Sequence, residues 1–123
     1  MEASEILKQT TILFVEDDLI VRMALVKFLK RRCKGVIEAE NGRIALELFI
    51  EHRPDVVITD LEMPVMGGLE LIDRIIEYDD KQAIIITTAY DDLKHKHSKV
   101  RAHLIKPIDS ENLLETIISC RKK

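Results

Sequence analysis

Short apolar runs recur along the chain, Ile12 to Val15, Val36 to Ala39, Val56 to Thr59, Ile84 to Thr87 and Ala102 to Ile105, and the stretches between them switch to helical spacing. That alternation leaves few folds open. Strand-length runs interleaved with helices are satisfied by repeated strand-helix units around a parallel sheet, because parallel strands need a crossover between them. Three of the five runs are almost wholly apolar, as strands covered by helices on both faces must be. At 123 residues the units share a single core. The expectation is an α/β doubly wound sheet in one domain over residues 11–121, with residues 1–10 a lead-in and 122–123 a tail.

The helical stretches carry their own start and stop signals. Val21, Leu25, Phe28 and Leu29 share one face of a helix that Asp18 caps and Gly35 ends. Ile44, Ala45 and Leu48 mark the second, stopped by Pro54, and Leu71, Ile72, Ile75 and Ile76 the third. Leu113, Leu114, Ile117 and Ile118 give the last, with Asp109 as its cap behind Pro107. Between Tyr90 and Arg101 only Leu93 and Val100 serve as apolar anchors, which predicts a short, frayed helix.

Charge and composition exclude several functions. A net charge of −3 disfavours broad electrostatic attachment to nucleic acid. No apolar run approaches the ~20 residues of a membrane span, and Met1 to Glu5 lacks the basic and apolar regions of a signal peptide. Cys33 and Cys120 form no metal-type or CxxC spacing, which fits reduced thiols in a cytoplasm. His95 and His97 diverge on a helix and sit among Lys94, Lys96 and Lys99, so they read as a solvated face. There is no Gly-rich phosphate or dinucleotide fingerprint.

The residues that follow the apolar runs are of another kind. Parallel strands place their carboxyl ends on one edge of the sheet, where doubly wound folds bind ligands. Glu16 and Asp17 follow the first run, Asp60 the third, Thr88 the fourth and Lys106 the fifth. If the first strand neighbours the third, three carboxylates converge, and like charges so close need an offsetting cation. A hard dication with oxygen ligands, Mg²⁺ first and Mn²⁺ as substitute, suits one or two carboxylates, waters and a phosphate. Lys106 adds a second positive charge.

Taken together, Ile12-Leu13-Phe14-Val15-Glu16-Asp17-Asp18, Thr59-Asp60-Leu61-Glu62-Met63-Pro64, Met66-Gly67-Gly68, Thr88-Ala89 and Lys106-Pro107 resemble the receiver domain of bacterial response regulators, over nearly all of Thr11 to Cys120. The resemblance implies a flavodoxin-like (βα)5 fold with strand order 2-1-3-4-5. It implies that Asp60 accepts a phosphoryl group, with Asp17 on Mg²⁺, Glu16 reaching it directly or through water, and the Glu62 backbone carbonyl completing the metal site. Lys106 would neutralise the phosphoryl oxygens, and Thr88 would bond one of them and draw its loop inward. As partners it implies a sensor histidine kinase or histidine phosphotransfer protein upstream and an effector or fused output domain downstream. Dimerisation on phosphorylation is a further option, with no membrane or direct nucleic-acid contact by this chain.

Two features depart from the family pattern. His103 stands where the family carries the aromatic switch residue that reorients on activation, and the stretch from Thr88 to Lys106 is short and lacks the usual Gly-Ala. The competing functions are a small phosphohydrolase with Asp60 as nucleophile and Glu62 as acid/base, and a scaffold that takes no phosphate. The signalling reading has the chemistry of self-phosphorylation and autodephosphorylation without being an enzyme on other substrates.

Overall fold

The computed structural model describes residues 1–122, apart from the side chain of Leu93. Five strands, β1 (Thr11–Val15), β2 (Gly35–Ala39), β3 (Val56–Asp60), β4 (Ala83–Thr88) and β5 (Ala102–Ile105), form one parallel sheet in the order β2-β1-β3-β4-β5. Helices α1 (Ala3–Lys8), α2 (Leu19–Lys30), α3 (Gly42–His52), α4 (Gly68–Tyr78) and α5 (Ser110–Lys122) cover its two faces. This is the doubly wound α/β order expected from the sequence. Among the described residues no helix is long and apolar enough to cross a membrane.

The strand period of two divides the core. Ile12, Phe14, Val56, Ile58 and Ile85 pack with Val26 and Leu29 of α2 and Leu113 and Ile117 of α5, while Leu13, Val15, Val57, Ile84 and Ile86 pack with Phe49 of α3 and Leu71, Ile72 and Ile75 of α4. Every residue of β3 and β4 is buried. Each fully buried isoleucine there contributes about 1.5–3 kcal/mol over leaving it exposed. Local signals start the helices: Asp18 accepts from the N–H groups of Ile20 and Val21, Asn41 from that of Ile44, and Asp109 from that of Glu111.

Three details differ from the sequence reading. Residues 1–10 are more than a lead-in, since α1 carries Leu7 into the core beside Ile117 and Cys120. Gly35 opens β2 instead of ending α2, which stops at Lys30. The fourth crossover helix shrinks to a single 3₁₀ turn, Leu93–His95. Of its two expected anchors, Val100 packs on the α4-side core, and the Leu93 side chain lies outside the described residues. A stretch with so little apolar surface to bury cannot offset the ordering entropy of a longer helix.

Candidate functional site

The pairing of β1 with β3 sets Val15 against Thr59, so Glu16 and Asp60 meet just past the last paired residues. With Asp17 they form the one group of three or more potential metal-ligating side chains among the described residues, each offering an oxygen within 4.8 Å of the others. Glu16 is 2% and Asp60 5% exposed, whereas Asp17 is exposed to solvent. Lys106, delivered by the turn after β5, places Nζ 2.8 Å from Glu16 Oε1 and 3.1 Å from Asp60 Oδ2. One cation thus serves two buried carboxylates.

The remaining oxygens are oriented by backbone. The Leu61 N–H donates to Asp60 Oδ1 at 2.8 Å, and the Asp18 N–H donates to Glu16 Oε2 at 3.1 Å. Glu16 therefore has both oxygens engaged, and Asp17 is the carboxylate left open toward solvent. Burial, a hydrogen bond with Glu16 and the Glu16 charge raise the Asp17 carboxyl above its ordinary value. Burial pulls the Lys106 ammonium down, yet the bonds and charges of Glu16 and Asp60 outweigh it and hold it above 10.5.

Thr88 is buried at the end of β4, one residue past Thr87, the register partner of Asp60. Its hydroxyl accepts from the Tyr90 N–H at 3.2 Å, and its carbonyl accepts from the Lys106 N–H at 2.7 Å, which links the fourth and fifth strand ends. Glu62 sits at the rim, where its carboxylate pairs with His95 Nε2 at 3.3 Å. His103 is half-buried on β5, and its Nε2 accepts from the His97 N–H at 3.1 Å.

Several supporting residues escaped the sequence reading. Arg22 donates to the Glu16 carbonyl at 2.7 Å and pairs with Glu38 at 3.0 Å, so it fixes the backbone of the acid pair from α2. Gly68 lies so near the end of β3 that a Cβ would fall 2.2 Å from the Asp60 carbonyl oxygen. Gly42 is similarly pressed against Met66, whose carbonyl accepts its N–H at 2.9 Å. The run Met66-Gly67-Gly68 was a signal for this approach. Nothing local in the sequence marks Arg22.

His95 and His97 also differ from a plain solvated face. His95 lies between Asp92 at 2.6 Å and Glu62 and stacks on Tyr90, while His97 bonds Asp73 of α4 at 2.8 Å. The partners distant in sequence, Glu62 for His95 and Asp73 for His97, are absent from any local pattern.

An all-oxygen donor set with three carboxylates and one lysine suits a hard divalent cation, because thiol or imidazole ligands are missing and negative charge is in excess. The sequence model of the response regulator receiver domain matches residues 12–118. The chain belongs to this family. Among relatives of the receiver, the transcriptional regulatory protein YdfI of Bacillus subtilis is 37% identical over 86% of this chain and 52% of its own length. The chemotaxis protein CheY of the same organism is 33% identical over 86% of this chain and 92% of its own. A crystal structure of the response regulator TrrA of Thermotoga maritima with Mg²⁺ and beryllofluoride has a TM-score of 0.80 and 30% identity, covering 91% of this chain and 99% of that one. The receiver spans about half the length of YdfI, and less of some other longer relatives. It is a two-component signalling domain with the receiver fold.

Proposed function

We propose that this receiver is a phosphorylation switch in which Asp60 takes the phosphoryl group of a phosphohistidine donor. The observation that carries this reading is the Asp60 carboxylate itself, with one oxygen fixed by the Leu61 N–H and the other 3.1 Å from Lys106 Nζ, at the edge where β1, β3 and β5 end together. A carboxylate oxygen attacks phosphorus as the P–N bond to the donor histidine breaks, which leaves an aspartyl phosphate and a histidine that takes up a proton. Lys106 moves its charge onto the transferred oxygens, and the Thr88 hydroxyl turns from the Tyr90 N–H to bond one of them. A bound Mg²⁺ would supply charge neutralisation for the phosphoryl oxygens. Asp17 would hold it, with Asp60, Glu16 and the Glu62 carbonyl as the other ligands.

The donor reaches Asp60 along the first turns of α2. Leu19, Ile20 and Met23 are large apolar side chains left 56%, 79% and 59% exposed beside Asp18, and Ile20 borders a groove that Pro107, Ile108 and Lys106 close on the far side. An exposed apolar strip that ends at a reactive carboxylate fits a protein donor better than a small substrate. The modified protein then acts on an effector or fused output domain, in a cytoplasm that keeps Cys33 and Cys120 as thiols.

The test uses two donors. With phosphoramidate and Mg²⁺ the intact mass should rise by one phosphoryl group, and Asp60→Asn should abolish the gain; a gain that survives in the variant refutes the assignment. Ile20→Glu should slow transfer from a phosphorylated histidine phosphotransfer protein while leaving phosphoramidate labelling unchanged. Equal slowing with both donors would remove the docking role.

A further inference from the structure

The connection between β4 and β5 is fastened to α4 by a relay that runs through two histidine rings. His97 Nδ1 accepts from the Lys99 N–H at 3.1 Å, so Nε2 bears the ring proton, which it gives to Asp73 Oδ1 at 2.8 Å. The backbone N–H of the same His97 donates to His103 Nε2 at 3.1 Å. That bond requires a lone pair on His103 Nε2, hence a neutral ring with its proton on Nδ1. An imidazolium at His103 would set an N–H against an N–H.

We propose that His103 is a proton-operated latch: neutral, it holds the His97 N–H and with it the β4–β5 connection, and protonated, it lets the connection go. The alternation of β5 supports the geometry, since Ala102 and Leu104 pack on the α5 side and His103 between them turns to the face of α4 and His97. The surroundings favour the neutral ring. Burial disfavours its charge, and Lys96 adds positive potential, with Asp91 opposing it. From α4 the acid Asp73 is engaged by His97, and β4 presents the uncharged Ile86 in register. Arg101 turns away to the carbonyls of Cys120 and Lys81.

The sign follows from these neighbours. His103 is held below the ordinary imidazole value of 6.5, so the folded chain binds its proton less readily than a released one. The latch is closed above 6.5 and opens as pH falls below it through the lower folded value. A departure from the family aromatic thus gives the connection a response to acid that needs no phosphoryl group. The proposal therefore stands apart from the phosphoacceptor reading.

Amide exchange of the His97 N–H by NMR on the unmodified protein, corrected for intrinsic rates, tests it. Protection should fall, by up to about tenfold once the ring is charged, as pH is lowered from about 7.5 to below 6.5 and on through the folded value, the loss of one ordinary hydrogen bond. His103→Gln retains an acceptor that does not titrate and should hold the protection nearly level over that range. A drop of the same size in His103→Gln would place the proton elsewhere and overturn the latch. So would ring nitrogen shifts showing the proton on His103 Nε2 at neutral pH, a readout that needs no variant to fold.

Discussion

Replacing Gly68 by alanine tests how tightly the helix after β3 is pressed on the strand that carries Asp60. The new methyl would stand 2.2 Å from the Asp60 carbonyl oxygen, 2.8 Å from Leu61 Cα and 2.9 Å from Leu61 Cδ2. Two of these three atoms are backbone, which no rotamer change relieves. The start of α4 must therefore retreat by about 1 Å, a shift that close-packed interiors resist. It would stretch the Gly68 N–H bond to the Leu61 carbonyl, now 2.9 Å, and drag the Leu61 N–H that orients Asp60. Overpacking of this kind costs about 2–3 kcal/mol, while the better helix propensity of alanine returns ~1 kcal/mol at most. For a domain of this length each kcal/mol moves the melting point by about 4 °C, so a fall of roughly 5–10 °C is expected. Differential scanning calorimetry should show it, with slower phosphoramidate labelling alongside. Gly35→Ala is the internal control, because its methyl would meet only Thr11 Cγ2 at 3.9 Å. If Gly68→Ala melts within about 2 °C of the parent, or Gly35→Ala falls as far, steric pressure at the site is the wrong account.

Asp60→Asn should melt higher than the parent in metal-free buffer, since it removes one of three clustered negative charges and leaves the Glu16–Lys106 bond of 2.8 Å in place; a lower melting point would contradict this. Lys106→Ala should lower stability by about 2 kcal/mol at neutral pH, short of a fully buried pair because the ammonium keeps some solvent contact. In the parent that contribution is complete below 10.5 and is lost as pH rises through the higher folded value, so urea titrations of parent and variant should converge in alkali. Asp17→Ala should weaken Mg²⁺ by ~tenfold or more in isothermal calorimetry. Parent affinity should already decline above pH 3.8 as the medium is acidified, because the Asp17 carboxyl is raised; an unchanged titration in the variant would remove Asp17 from the metal site.

The sheet was legible because its central strands are buried on both faces and because Asp18 and Asp109 sit at real helix starts. The acid pair, Asp60 and Lys106 were legible for a related reason: charged residues that interrupt an apolar rhythm at each strand end share one edge. Gly35 misled because a glycine after an apolar helix resembles a C-cap, whereas β2 is an edge strand whose Val36 and Ile37 are only half-buried. The contribution of α1 was hidden in six residues with a single buried side chain, Leu7. The histidines of the β4–β5 connection were read as solvent-facing because Asp73 and Glu62, their acidic partners on other elements, are distant in sequence.

The sheet also acts as a partition. Val57 and Ile58 are adjacent on β3, yet one belongs to the layer built with α3 and α4 and the other to the layer built with α2 and α5. Well-separated substitutions on opposite layers fall in different clusters, so their energies should combine nearly additively, whereas changes within one layer share neighbours and couple. The two layers can therefore be repacked separately, although every central strand contributes side chains to both.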